Sequence, residues 1–149
     1  MGTFTISSTA FKPGGPIPSK YTCDGPNVNP LLVIEGVPAN AQSLALIMDD
    51  PDAPGATWVH WVVWNIQPAT KAIREDTVPP EASQGVNDFQ NPGYGGPCPP
   101  SGTHRYFFRL YALNTSLDLG PDTTRAGLED AMEGHILDQA ELVGRYGRR

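Results

Sequence analysis

The chain has 149 residues, with 10 Lys and Arg against 16 Asp and Glu, for a net charge of −6. That balance excludes general affinity for nucleic acid or for an anionic membrane surface, both of which need a basic face. Sixteen Gly and sixteen Pro, without a collagen-like period, point to many turns between short strands, and the length points to a single domain over residues 1–149.

In chain order, residues 3–7 read as a short first strand. Residues 11–30 form a loop punctuated by Pro13, Gly14, Gly15, Pro16, Pro18, Gly25, Pro26 and Pro30. Strands are expected at 31–34 and 43–48, the second running into the loop Asp50-Pro51-Asp52-Ala53-Pro54. Residues 58–66 form a strong strand whose run Trp61, Val62, Val63, Trp64 implies burial on both faces. Residues 67–103 read mostly as loop, with weak strand potential near Thr77-Val78 and at 85–89; so long a loop is usually functional. Residues 106–113 form an aromatic-rich strand. Asp122-Thr123-Thr124 resembles a helix start, and Leu128, Met132, Ile136 and Leu137 follow helical spacing. Residues 140–146 fit helix or strand, and periodicity leaves that open. The class is mainly β, with a helix near the C-terminus.

No stretch has the apolar length of a membrane span. The N-terminus lacks a basic segment and an apolar core, so no secretory signal is expected and the cytoplasm is the expected location. Gly2 does not open a myristoylation motif, because Ile6 stands where Ser or Thr is required. Asn114-Thr115-Ser116 fits a glycosylation acceptor but reads as a turn after a strand. Cys23 and Cys98 both lie in Gly/Pro-rich loops; two reduced thiols and one disulfide both remain open.

Two segments carry the chemistry. In the first, Pro51 and Pro54 stiffen a loop of carboxylates, and His60-Trp61 follows at the head of a buried strand. In the second, residues 93–106 contain Gly93-Tyr94-Gly95-Gly96-Pro97 and end in Gly102-Thr103-His104-Arg105-Tyr106. Glycines let backbone N–H groups approach an anion, and His and Tyr supply further hydrogen bonds to it. Each element alone is explained by turn chemistry or by a buried structural histidine; their pairing suggests one small anion site. A metal ion fits poorly, because no His-x-His or His-x-x-x-His spacing occurs. Nucleophilic catalysis also fits poorly: there is no Gly-x-Ser-x-Gly elbow, and Cys98 sits between Pro97 and Pro99, which offer no N–H to an oxyanion.

These segments resemble the two signature regions of the phosphatidylethanolamine-binding protein family, which includes the Raf-kinase-inhibitor-like proteins of bacteria and archaea. Asp50-Pro51-Asp52-Ala53-Pro54 with His60-Trp61 matches the first, and Gly95-Gly96-Pro97 with Gly102-Thr103-His104-Arg105-Tyr106 the second. Tyr21-Thr22-Cys23-Asp24-Gly25 and Gly134-His135-Ile136-Leu137 agree as well, so the resemblance spans the chain. It implies a Greek-key β-sandwich with a few short helices and an anion pocket at one end. It implies ligand-binding roles for Asp50, His60, Gly96, Pro97, His104 and Tyr106, with no catalytic residue, metal or cofactor. The Gly96 amide, His60 and Tyr106 would contact phosphate, Asp50 would face an amine or hold a histidine, and His104 would orient. Arg105 would pair with Asp52 as structure.

The implied ligand is phosphate, a phosphomonoester or a phospholipid headgroup such as phosphoethanolamine, and the implied role is non-enzymatic binding without stable membrane insertion. A kinase or protease partner and a homodimer stay open. The alternatives are a phosphoester hydrolase using His60 and His104, or a protease inhibitor. The resemblance also makes the Ala53-Pro54 bond a candidate cis peptide. Finally, it brings Cys23 and Cys98 to the same end of the sandwich, where a disulfide can form under oxidising conditions.

Overall fold

A computed structural model describes residues 3–147. Met1 and Gly2, on which the myristoylation reading fell, lie outside the described residues. In chain order the strands are β1 (Thr5–Ser7), β2 (Leu32–Glu35), β3 (Ser43–Asp50), β4 (Trp58–Ile66), β5 (Ala72–Ile73), β6 (Ser83–Gln84), β7 (Thr103–Leu113) and β8 (Ile136–Gly147), with helix α1 (Arg125–Met132) before β8. A single 3-10 turn, Ser19–Tyr21, interrupts the first long loop. The fold is mainly β, as expected.

Two antiparallel sheets form. One has the order β1-β2-β5, the other β6-β4-β3-β7-β8. After β4 the chain crosses over and returns as β7 on the far side of β3, a Greek-key connection. β3 is therefore central, and all eight of its residues are buried. Alternation sorts its side chains: Leu44, Leu46 and Met48 face the three-stranded sheet, while Ala45 and Ile47 face α1. The inner face continues with Tyr106, Phe108, Leu110 and Ala112 of β7, which pack with Ile6, Leu32, Ile34 and Ile73 of the smaller sheet. On the outer face Leu128 and Met132 of α1 cover Val62, Trp64, Tyr111 and Leu113.

The helix is shorter than its apolar spacing predicts. It ends at Met132, and Gly134 adopts φ +82°, a left-handed turn that suits glycine. Ile136 and Leu137 thus belong to β8, which pairs with the whole of β7 and settles 140–146 as strand. No strand forms at Thr77-Val78; the short strands of this stretch are β5 and β6 instead. Among the described residues no helix is long and apolar enough to cross a membrane.

The Ala53-Pro54 peptide is trans, which corrects the expectation of a cis bond. The turn is made differently. The Asp52 N–H donates to Asp50 Oδ1 at 2.8 Å, and the Asp52 carboxylate is anchored on Arg105 through the backbone N–H, Nε and Nη2, each at 2.9 Å. Those bonds fix the reversal without a cis peptide.

Candidate functional site

At the end of the sandwich β3, β4 and β7 bring Asp50, His60 and His104 to one cavity of about 270 Å³. Asp50 and His104 arrive there by plain alternation, since both continue the inner faces of their strands. His60 does not. Met48 pairs with Trp61, but Asp49 pairs with Val59, so His60 is the extra residue of a β-bulge. The bulge shifts the parity of β4. Without it His60 would share the outer face with Val62 and Trp64; with it Val59 takes the outer face and the His60 ring meets Tyr106 edge-on, centroids 5.3 Å apart.

The two histidines are held by different partners. His104 Nδ1 donates to Asp50 Oδ2 at 2.6 Å, and both side chains are nearly fully buried. His60 Nδ1 donates to the Gly95 carbonyl at 2.6 Å, while the Gly95 N–H donates back to the His60 carbonyl at 2.9 Å. A carbonyl can only accept, so His60 carries its proton on Nδ1, and Nε2 is left as an acceptor. Burial pushes the His60 pKa below the ordinary 6.5, although the Gly95 carbonyl and the Asp50 charge oppose the shift. The ring is therefore neutral near pH 7.

Tyr106 lies behind this floor and is fully buried. Its hydroxyl meets no hydrogen-bond partner in good geometry among the described residues. Burial first, and the nearby Asp50 carboxylate second, hold the phenol far above its usual pKa. The hydroxyl is thus a neutral donor behind the cavity.

Gly96 and Pro97 are placed otherwise than the resemblance implied. The Gly96 N–H, expected on the anion, donates to Asn27 Oδ1 at 2.8 Å. Gly96 packs so closely on the first long loop that an added Cβ would stand 2.2 Å from the Tyr21 carbonyl oxygen, which is why no side chain fits. The Pro97 carbonyl accepts the Cys23 N–H at 3.1 Å, and neither residue lines the cavity. The same loop is tied to the site by Tyr94 Oη donating to the Tyr21 carbonyl at 2.7 Å. A Cys23–Cys98 disulfide completes the tie, with Cα atoms 5.4 Å apart across 75 residues of sequence. Closing a loop of that length stabilises the fold by about 4 kcal/mol through the unfolded chain.

The wall is mainly apolar. It is made by Pro54, Trp58, Phe89 and Cys98-Pro99-Pro100. Trp58 and Phe89 are both more than a third exposed and meet edge-on at 5.5 Å, and Phe89 also meets the His60 ring at 5.3 Å. Phe89 is seated by its own N–H on Asn87 Oδ1 and by a two-way bond between Asp88 and the Val59 backbone. Trp58, Phe89 and Asn27 escaped the reading of the sequence. Trp58 could have been found from its place two residues before His60; Phe89 and Asn27 carry no comparable signal. Among the described residues no group of three or more His, Cys, Asp or Glu is arranged to hold a metal ion.

The chain matches the family model described as phosphatidylethanolamine-binding protein over residues 7–147. A UPF0098 protein of Methanothermobacter thermautotrophicus is 52% identical over 148 residues, covering 96% of this chain and 98% of that one. A UPF0098 protein of Aquifex aeolicus is 49% identical, covering 96% and 88%. Among solved structures, a phosphatidylethanolamine-binding protein homologue of Chlamydia trachomatis is 40% identical with a TM-score of 0.96 over all of both chains. Escherichia coli YbcL, described as a member of the mammalian family, is 31% identical with a TM-score of 0.93, covering 99% of this chain and 100% of that one.

Proposed function

Because the chain belongs to the phosphatidylethanolamine-binding protein family, we propose that it is a non-enzymatic binding protein whose cavity takes phosphate, a phosphomonoester or a phospholipid headgroup. The observation that carries this reading is the convergence of Asp50, His60 and His104 on the floor of one small cavity with an apolar wall. Such a site orients a compact polar group and shelters the carbon next to it. Affinity is expected to be weak, because a cavity this small offers few contacts against the entropy cost of association. A role in modulating a kinase or protease partner belongs to the same proposal.

The test is an NMR titration of the histidine ring signals with inorganic phosphate and with phosphoethanolamine. The signals of His60 and His104 should shift together, and His60→Ala should abolish the response. No response to either compound up to tens of millimolar, about ten thousandfold above a micromolar site, would count against the reading. The rival, phosphoester hydrolysis by His60 and His104, is favoured by the Asp50–His104 pair, since a carboxylate behind a histidine is also how a general base is oriented. It requires turnover of a phosphoester panel that is lost in His104→Ala.

A further inference from the structure

The Gly95–Gly96 peptide has a partner at each end. Its carbonyl oxygen, on Gly95, accepts the His60 Nδ1–H at 2.6 Å. Its N–H, on Gly96, donates to Asn27 Oδ1 at 2.8 Å. One peptide plane thus links a side chain in the first long loop to a histidine in the cavity. An acceptor on the N–H polarises the amide and makes its carbonyl a better acceptor, so the two bonds strengthen one another.

Asn27 is well held. Its N–H donates to the Lys20 carbonyl at 3.0 Å, and it adopts φ +62°, a conformation that Asn tolerates better than most residues. It does not line the cavity. Its polar atom is spent on the peptide rather than on a ligand.

The consequence reaches the ligand. A His60 ring pinned through Nδ1–H offers a lone pair, not a proton, at Nε2. The Asp50 oxygens are acceptors as well. The Tyr106 hydroxyl, a donor, is fully buried behind the floor and does not line the cavity, so against these two acceptors a bound oxyanion pairs only through a hydrogen of its own. Hydrogen phosphate and phosphomonoester monoanions carry a P–OH; sulfate, of similar size and charge, carries none near neutral pH.

We propose that Asn27 is a positioning residue that fixes the His60 tautomer through the Gly95–Gly96 peptide and thereby makes the cavity select a protonated phosphate over an anion without a proton. This rests on the binding reading above and names the ligand form that the site accepts. A sulfate oxygen would set one lone pair against another, and sites built to pair a hydrogen bond reject the analogue lacking it.

The experiment has two arms on protein labelled with ¹⁵N-histidine. In the first, two-bond ¹H–¹⁵N spectra read which His60 nitrogen holds the proton. Wild type should show it on Nδ1. Asn27→Gly keeps the left-handed backbone and removes the acceptor, and should populate the Nε2–H form; Asn27→Asp restores an acceptor oxygen and should restore Nδ1–H. In the second arm, phosphate and sulfate are titrated at one fixed pH, so that Asp50, His104 and Tyr106 have the same ionisation in both. Phosphate should bind roughly tenfold or more tightly than sulfate to wild type and to Asn27→Asp, and that ratio should shrink in Asn27→Gly.

A wild-type proton on Nε2, or an Asn27→Gly protein with unchanged tautomer and unchanged ratio, overturns the proposal. Equal binding of the two anions by wild type overturns the selectivity. If neither anion binds, the binding reading fails together with the selectivity, while the spectra still decide the role of Asn27.

Discussion

Asp49 and Asp50 are neighbours on β3, both almost wholly buried, and alternation turns them to opposite faces of the sheet. On the outer face Asp49 is saturated. Arg109 donates to it through Nε at 2.9 Å and Nη2 at 3.2 Å, and Arg125 of α1 through Nη1 at 2.7 Å. Arg109 is braced in turn by Glu141 at 2.9 Å and lies over the Phe107 ring at 4.5 Å. Every charge there has its partner. On the inner face Asp50 holds one histidine and the Asp52 N–H, but beside it, among the described residues, lie a His60 ring bonded through Nδ1 and a tyrosine hydroxyl with no hydrogen bond in good geometry. A buried carboxylate is therefore no mark of a ligand site by itself. What separates the two faces is hydrogen-bonding capacity left unfilled.

The largest effect should come from the saturated side. Asp49→Ala leaves two guanidinium groups facing a buried void. Breaking a buried pair costs about 3–5 kcal/mol, and the lower end applies because both arginine side chains are about a quarter exposed and can rehydrate. Urea unfolding should show a loss of about 3 kcal/mol, with the phosphate response of the histidines intact in the folded protein. A folded Asp49→Ala protein that no longer responds to phosphate would break the division between the faces.

Asp50→Asn should reverse that pattern. The amide oxygen can still accept from His104, so the cost in stability should be nearer about 1 kcal/mol. The charge that orients the imidazole is gone, and phosphate binding should weaken roughly tenfold. Titration and urea unfolding of the same sample decide it; an Asp50→Asn protein as unstable as Asp49→Ala and as responsive as wild type would invert the assignment.

The sequence makes one of these faces easier to read than the other. β4 and β7 are legible because their apolar runs are long, and Asp50 and His104 can be placed because they follow plain alternation. His60 can be named as a candidate, but its orientation depends on a bulge opposite Met48 and Asp49, and a two-residue period carries no sign of an inserted residue. β8 is obscured for another reason. It is an edge strand with few buried side chains, and Leu128, Met132 and Ile136 happen to fall four apart, so the helical pattern runs on until Gly134 ends it. The partner of the Gly96 amide is not legible, because Asn27 stands 69 residues away in a loop without periodicity. The expected pairing of Arg105 with Asp52 came from the resemblance and matches the geometry found.

A smaller effect concerns the neutral ring of His60. Its folded pKa is depressed by burial, so the unfolded chain binds the proton more readily. Above pH 6.5 both states are neutral and the group has no influence. As the pH falls below 6.5 toward the lower folded value, the unfolded state takes up its proton first and stability declines. His60→Gln removes this term. The melting temperature of wild type should drop more steeply from pH 7 to pH 5 than that of the variant, with Asp49, Asp50 and His104 present in both. Parallel curves would mean that His60 is charged in the folded state, and the cavity would then present a donor.

The smallest effect should come from the rim, where Asp52 and Arg105 form a two-pronged pair in the open. Its geometry is as good as that of the Asp49 cluster, with Nε and Nη2 both at 2.9 Å. Its surroundings differ: the Arg105 side chain is 54% exposed and that of Asp52 30%. Water and salt screen such a pair, and exposed pairs contribute little to folding. What the pair does change is the Asp52 carboxyl, which the Arg105 side-chain and backbone hydrogen bonds lower from 3.8 to about 2. A depressed carboxylate adds stability that is complete above its unfolded pKa and is lost as pH falls through the folded one. Wild type should therefore lose this part between about pH 4 and pH 2, and Arg105→Ala should show a smaller loss over that range, because Asp52 then titrates nearer its ordinary value in the folded state as well. At neutral pH the two proteins should melt within a few degrees of one another, and added salt should narrow the gap further. If Arg105→Ala instead melts as low as Asp49→Ala, the rim pair is as essential as the buried cluster, and exposure is not what sets the two apart.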